Sequence, residues 1–106
     1  MHKIQCNWDE NMKFTALDEF GNSVSMDLAK EAGGDNLGFR PMPMLLVGLG
    51  GCMGVDVKII LEKMKIEFSS IDLDIIGELD ESVTPRTYKK ISVVFKRSEE
   101  RRVGKD

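Results

Sequence analysis

The sequence is poor in the residues on which many metal sites and nucleic-acid interfaces depend. Its 106 residues include one histidine, one tryptophan, one tyrosine and two cysteines, and the net charge is -3. The histidine, His2, lies at the N-terminus, which argues against a histidine-based metal site and against a Cys–His couple. The acidic balance, without a basic stripe interleaved with aromatic residues, argues against nucleic acid as a partner.

Long apolar runs are also missing. The N-terminus carries none, so we expect no signal peptide. The uncharged run that begins at Pro41 stops at Asp56, short of the roughly 20 apolar residues that cross a bilayer, so no membrane span is predicted. Two cysteines without an export leader indicate reduced thiols in a cytoplasm. A chain of this length forms one domain, small enough for dimerisation to stabilise it.

Residues 41–65 predict one long core helix. Two prolines open it, and proline suits the first helical turn, where its missing N–H would have no partner. A helix of about 20 residues is about 30 Å long. Apolar residues at three-and-four spacing form its predicted buried face: Leu46, Leu49, Met53, Val57, Ile60, Leu61 and Met64.

Glycines crowd the middle of this helix around Cys52. Each costs about 1 kcal/mol relative to alanine, so we expect a compensating close approach of a backbone or a ligand at this level. The glycines are Gly48, Gly50, Gly51 and Gly54. Cys52 shares a helical stripe with four residues rotated partly away from the apolar face, namely Leu45, Gly48, Asp56 and Ile59. The thiol is therefore predicted to face a seam or cleft.

Alternating apolar residues predict five strands, at residues 2–8, 12–17, 23–28, 70–79 and 87–95. Tight turns join the first three into an antiparallel meander, and a longer loop joins the last two into a hairpin. The glycines of residues 31–38 predict a loop with unusual dihedral angles. The order βββ–α–ββ gives an α+β fold with a long helix across antiparallel sheet. We expect one domain over residues 1–96 and a charged, disordered tail over residues 97–106.

The loop and helix together resemble the central segment of the OsmC/Ohr family, the osmotically inducible and organic-hydroperoxide-resistance proteins. The resemblance lies in a glycine-rich loop, a proline, an apolar run, the triplet Gly50-Gly51-Cys52 and an aliphatic helix after it. The flanking strands fit the family's order, so the resemblance covers about residues 1–96. The chain is most similar to the OsmC-like branch, which has two glycines before the cysteine.

The resemblance implies an intertwined homodimer with two active sites at the subunit interface. It implies that Cys52 attacks a hydroperoxide as a thiolate and becomes a sulfenic acid. In the family a second cysteine then forms a disulfide, which a dithiol reduces again. The implied partners are a second copy, a hydroperoxide and a thiol reductant, with neither cofactor nor metal.

The chain departs from the family's peroxidases at three places. It ends where they continue into a helix with the second cysteine, so we expect a C-terminally truncated chain, and Cys6 is not at that cysteine's position. Their glutamate after the proline is replaced by Met42 and Pro43, and their arginine has no counterpart at residues 9–11. Arg40, directly before the helix, is the remaining candidate for a cation beside Cys52.

The residues alone leave several alternatives open. Cys52 reads as a small buried hydrophobe or as a reactive thiol, with Asp56 one turn away disfavouring the thiolate. Cys6 is expected to be a buried strand residue, and Gly33 and Gly34 form either an anion-binding nest or a plain turn. Two functions follow: a thiol-dependent hydroperoxide reductase, or a non-catalytic dimeric scaffold that holds a small apolar ligand.

Overall fold

The computed structural model describes residues 1–84 and 86–98, with side chains up to Lys96. The chain divides into two compact units, Met1–Leu45 and Leu46–Asp106. Three strands, one long helix and two strands follow one another, which confirms the predicted α+β order. Of the predicted tail at residues 97–106, the first two residues belong to the last strand and the rest lie outside the described residues.

The first unit contains a three-stranded antiparallel sheet in the order β1-β2-β3. Its strands are β1 (Gln5–Glu10), β2 (Lys13–Leu17) and β3 (Ser23–Met26). The predicted meander is confirmed, although β1 lies two to three residues later than expected. The reason is the turn after it, where Asn11 adopts a positive φ of 46° and lets the chain reverse in two residues.

The exposed position of Cys6 contradicts the prediction that it is buried. Cys6 pairs with Ala16, and Trp8 pairs directly with Phe14, so these side chains share one apolar sheet face. The whole of β1, an edge strand of this sheet, is exposed. Alternation correctly assigned Cys6 to the apolar face, but alternation does not say whether that face is covered.

The segment between β3 and the helix is an ordered loop. It begins with a short 3-10 helix, Lys30–Ala32, and has positive φ angles at Gly33 (95°) and Asn36 (57°), as predicted for this loop. Phe39 then runs beside β3 in a parallel bridge to Met26. Gly38 permits this approach, because a Cβ there would collide with the carbonyl oxygen of Ser25.

The helix α1 spans Pro41–Lys63, 23 residues, or about 34 Å at 1.5 Å per residue. Its first turn closes where the Met44 N–H donates to the Arg40 carbonyl oxygen at 3.1 Å. It ends two residues before the predicted boundary because Lys65 turns to a positive φ of 58°. The Ile66 N–H then donates to the Leu61 carbonyl oxygen, which satisfies a carbonyl at the helix end.

In the second unit α1 lies against the hairpin of β4 (Ser70–Asp80) and β5 (Thr87–Ser98). Gly50 faces Ile75 and Gly54 faces Leu73, so the helix runs antiparallel to β4. The predicted burial of Ile60 and Met64 is wrong, since they are 53% and 63% exposed. The described approaches of α1 to β4 lie at Gly50 and Gly54, earlier in the helix than these two side chains.

Few side chains are enclosed in the part of the chain that the structure describes. No apolar side chain there is fully buried, and the fully buried polar residue is Asp27, at 1% exposure. The helix α1 satisfies the length and composition of a membrane span, with a mean hydropathy of 1.9 over its best window, none of it buried. The core helix of a soluble protein satisfies the same criteria, so length and composition alone do not distinguish it from a membrane span.

Candidate functional site

Cys52 lies on α1 in the second unit with its thiol exposed, as its position on a seam or cleft predicted. An open groove of about 410 Å³ runs beside it, lined by Gly51, Cys52, Val55 and Asp56. Of these residues Asp56 alone is charged, so the groove combines an apolar surface with one carboxylate. The groove suits a small apolar molecule, with the sulfur atom in its wall.

The glycines around Cys52 divide into two pairs that face in different directions. A Cβ on Gly50 would lie 3.2 Å from Ile75 Cγ1, and one on Gly54 would lie 3.8 Å from Leu73 Cδ1. A Cβ on Gly48 or Gly51 would meet no atom within 4 Å. The predicted close approach therefore accounts for the first pair. The second pair leaves the backbone open on the side of the groove.

Arg40 lies in the first unit, half-buried, immediately before α1. Its guanidinium donates a hydrogen bond from Nη1 to the Gly38 carbonyl oxygen at 3.2 Å, and its charge acts on the Asp27 carboxylate. Within its own unit Arg40 thus belongs to the loop before the helix. Its role beside Cys52 stays a prediction.

Asp27 is the residue that sequence reasoning missed. Its Oδ1 accepts the Leu28 N–H at 2.7 Å, and its Oδ2 accepts the N–H groups of Asp35 and Leu37, each at 3.2 Å. Burial raises the pKa of Asp27, but these three N–H donors and the nearby Arg40 charge outweigh it and hold the pKa below its ordinary value. The sequence feature that could have identified Asp27 was its position, as a polar residue directly before a glycine-rich loop.

The glycines of this loop form a turn and not an anion-binding nest. The Gly33 N–H donates to the Lys30 carbonyl oxygen at 3.1 Å, and the Gly34 N–H donates to that of Ala29 at 3.0 Å. Both donors are therefore occupied by backbone. Gly34 itself is required because a Cβ there would collide with the Leu28 carbonyl oxygen.

The turn between β1 and β2 is tied to the same loop. Asn11 donates from Nδ2 to the Gly33 carbonyl oxygen at 2.8 Å and to Asp35 Oδ2 at 3.1 Å. The Trp8 indole N–H in turn donates to the Asn11 carbonyl oxygen at 2.7 Å. The segment that leads into α1 is therefore held by two sets of hydrogen bonds, those accepted by the buried Asp27 carboxylate and those donated by the exposed Asn11 side chain.

Groups of three or more histidine, cysteine or acidic side chains placed to hold a metal ion are absent from residues 1–84 and 86–96. Cys6 and Cys52 both have exposed thiols in this part of the chain, and of the two Cys52 lines the groove. The apolar lining and the open backbone of Gly51 give a small molecule access to the sulfur atom.

A family model described as OsmC-like protein matches residues 33–102, about two thirds of the chain. The chain belongs to the OsmC-like protein family. The matched segment contains the loop from Gly33 onward, the whole of α1 with Cys52, and the hairpin of β4 and β5. The match includes the whole of α1, so this helix is an element of the OsmC-like fold.

Solved structures have the same fold. A protein from Psychrobacter arcticus 273-4, named as an osmotic stress induced and detoxification response protein, matches with a TM-score of 0.79 and 16% identity, over 97% of this chain and 74% of that one. A hypothetical protein from Aquifex aeolicus VF5 matches with a TM-score of 0.75 and 26% identity, over 92% of this chain and 66% of that one. No curated protein matches. The chain thus spans about two thirds to three quarters of the structures it resembles.

Proposed function

We propose that this OsmC-like protein is a thiol-dependent hydroperoxide reductase in which Cys52 is the attacking residue. The observation that carries the proposal is an exposed cysteine beside an open groove, within the segment that the family matches. The name of the Psychrobacter relative, with its detoxification response, is consistent with such a role. The proposed activity uses both features: the accessible sulfur atom reacts with the hydroperoxide, and the apolar lining contacts its organic group.

The reaction has two stages. The Cys52 thiolate attacks the terminal, hydrogen-bearing oxygen of the hydroperoxide. A sulfur–oxygen bond forms, the oxygen–oxygen bond breaks, and the departing alkoxide takes up a proton from water to leave as an alcohol. Cys52 is then a sulfenic acid. A cellular thiol attacks its sulfur and releases water, and a second thiol breaks the mixed disulfide to restore the Cys52 thiolate.

The groove favours organic hydroperoxides over hydrogen peroxide as substrates. Val55 is 59% exposed beside the sulfur atom and offers apolar surface to an alkyl group. Gly51 adds no side chain that would hinder the approach. The reductant is an external thiol, because Cys6 lies on an edge strand and is not proposed as a resolving cysteine. A cytoplasmic location, where such thiols are supplied, fits this cycle.

The functional form is proposed to be an intertwined homodimer. Large apolar side chains are exposed in both units, including Trp8 (63%) on the sheet of the first unit and Val55 (59%) on the helix in the second. Exposed surface of this kind is unusual for a monomer and is typical of an interface between subunits. The proposed partners are therefore a second copy, the hydroperoxide and the thiol reductant.

A second candidate is a dimeric scaffold that binds a small apolar ligand in the groove without chemistry. It is favoured by the lining itself, which is apolar apart from the carboxylate of Asp56 and includes no cation. In that case Arg40 has no part in the site. The two candidates differ in whether hydroperoxide oxidises the Cys52 sulfur atom: the reductase forms a sulfenic acid there, and the scaffold does not.

Mass spectrometry after one equivalent of cumene hydroperoxide separates the two candidates. The reductase gains one oxygen atom on the Cys52 peptide within seconds, and added thiol removes it. Cys6 is the internal control, because it is also exposed and differs in its surroundings and not in access. Equal, slow oxidation of Cys6 and Cys52 contradicts the reductase and leaves the scaffold.

A further inference from the structure

Asp56 brings a negative charge to the groove beside the Cys52 thiol. The groove is lined by Gly51, Cys52, Val55 and Asp56, and of these residues Asp56 carries the formal charge. Asp56 follows Cys52 by four residues on α1. Residues at this spacing are neighbours on a helix surface, with Cβ atoms about 5–6 Å apart. A molecule that reaches the sulfur atom therefore comes close to a carboxylate.

No cation on α1 is paired with this carboxylate. Among the residues that the structure describes, Asp56 forms no ion pair, and the nearest lysine along the helix, Lys58, is bound instead to Glu62 at 2.8 Å. The basic residue of the last helical turn, Lys63, follows Cys52 by eleven residues, or about 16 Å along the helix axis. The charge of Asp56 is therefore uncompensated on the helix that carries the groove.

The strand β4 presents apolar side chains to this helix. Its residues that contact the glycine positions of α1 are Leu73 and Ile75. Successive strand residues point to opposite faces of a sheet, so the acidic residues that alternate with these two, Asp72 and Asp74, lie on the face turned away from α1. Asp74 is paired there with Lys96 at 3.0 Å. Within the described part of the second unit, the charge nearest to the Cys52 thiol is thus that of Asp56.

We propose that Asp56 selects substrates by charge: the groove accepts hydroperoxides whose organic group is neutral or cationic and discriminates against those that carry a carboxylate. This inference rests on the proposed function, because it names the substrates of the same site. An anionic group that enters the groove is repelled by a fixed negative charge, and no cation in the lining offsets this repulsion. Neutral alkyl and aryl hydroperoxides are therefore good substrates, and hydroperoxides of free fatty acids are poor ones.

The exposure of Asp56 sets the size of this selection. Its side chain is in contact with water, so the dielectric constant around it is high. Repulsion between two unit charges about 6 Å apart lowers the local concentration of an anion about threefold in water, and up to about tenfold where apolar surface displaces water. Salt screens the interaction, because the Debye length is about 10 Å at 0.1 M ionic strength and about 3 Å at 1 M. The selection is therefore expected at low salt and should fade towards 1 M.

Charged thiol reagents test the selection without any hydroperoxide. Three methanethiosulfonates are compared: a neutral methyl reagent, an anionic sulfonatoethyl reagent and a cationic trimethylammonioethyl reagent. The chain carries Cys6→Ser, so that Cys52 is the remaining thiol. The rate of each charged reagent is divided by the rate of the neutral reagent on the same chain, so the fraction of Cys52 present as thiolate cancels. The same ratios for N-acetylcysteine amide give the intrinsic reactivity of the reagents.

The anionic-to-neutral ratio should be about three- to tenfold lower with Asp56 present than in the Asp56→Asn variant, and the cationic-to-neutral ratio should be higher. Asp56→Glu keeps the charge and should keep the selection. Glu62→Gln is the matched control, because it removes the same charge from the same helix ten residues beyond Cys52, and it should leave both ratios unchanged. Equal ratios with and without the Asp56 charge overturn the proposal. An equal response to Glu62→Gln also overturns it, because net charge would then be the cause.

Turnover tests whether the selection applies to the proposed reaction. The values of kcat/KM are measured for cumene hydroperoxide and for the same molecule with a para carboxylate, at low salt and near 1 M NaCl. The preference for the neutral substrate should fall about three- to tenfold in Asp56→Asn and should decline with salt in the unaltered chain. A preference that Asp56→Asn leaves unchanged overturns the substrate selection. If neither hydroperoxide is turned over while the thiol reagents still respond to Asp56→Asn, the reductase function is refuted and the discrimination of the groove against anions stands.

Discussion

Alanine at Gly50 and at Gly54 tests how closely α1 packs on the hairpin. Both glycines lie inside the same helix, so each change gains about 1 kcal/mol from helix propensity. They differ in clearance: the added methyl group meets Ile75 Cγ1 at 3.2 Å at position 50, but Leu73 Cδ1 at 3.8 Å at position 54. The second distance is an ordinary contact and the first is tighter than packed carbon atoms prefer.

Gly54→Ala should therefore keep its gain, whereas Gly50→Ala should lose most or all of it to the displacement of Ile75. Overpacking of a fitted site costs about 1–3 kcal/mol, which equals or exceeds the propensity gain. In a domain of this size about 1 kcal/mol changes the melting temperature by about 4–8 °C. We expect a rise of that order for Gly54→Ala and no rise, or a fall, for Gly50→Ala.

The assay is thermal unfolding followed by far-ultraviolet circular dichroism at one fixed protein concentration, because a dimer's melting temperature depends on concentration. Ile75→Ala supplies the second half of a double-mutant cycle: it removes Cγ1, so Gly50→Ala should stabilise this background as Gly54→Ala stabilises the wild type. If Gly50→Ala and Gly54→Ala raise the melting temperature equally in the wild type, α1 does not approach β4 as described.

Three further perturbations follow from contacts within one unit or from the proposed site. Asp27→Asn should speed hydrogen exchange at the loop N–H groups that donate to this carboxylate. Because the pKa of Asp27 is lowered in the folded protein, its contribution to stability is complete above about pH 4 and is lost as the pH falls through the lowered pKa. The acid unfolding of the variant should lack this pH-dependent contribution. Gly77→Ala should destabilise the hairpin by about 1–3 kcal/mol in urea unfolding, since its methyl group would lie 2.5 Å from the Tyr88 ring, and Tyr88→Ser should remove this cost. Arg40→Ala should slow alkylation of Cys52 about tenfold at neutral pH, and an unchanged rate would make the thiol a packing residue.

Most of the fold could be predicted because it depends on periodicity. Alternation predicted a strand over residues 70–79, where β4 spans Ser70–Asp80, and three-and-four spacing located α1 within two residues of its observed end. The strands' order then fixed the α+β class. Such patterns are strong for β4, where apolar and acidic residues alternate, and weaker for α1, which carries apolar residues on more than one face.

The remaining features depend on contacts that no local pattern encodes. Asp27 was placed within a predicted strand, but it is buried because the loop folds its own N–H groups around the carboxylate. Cys6 was expected inside because its face is apolar, and it lies outside because nothing in the described residues covers β1. Which glycines around Cys52 face β4, and which have open space at their Cβ position, likewise depends on where the hairpin lies.

The hydrogen bond from the Trp8 indole to Asn11 makes intrinsic tryptophan fluorescence a probe of the loop before α1. Trp8 is the chain's one tryptophan, and Asn11 holds the loop through Gly33 and Asp35. When the turn at Asn11 opens, the indole N–H loses this acceptor, and we expect the tryptophan emission to change. Fluorescence from a single natural fluorophore thus reports on the segment leading into α1 in real time, without a label and without disturbing either cysteine.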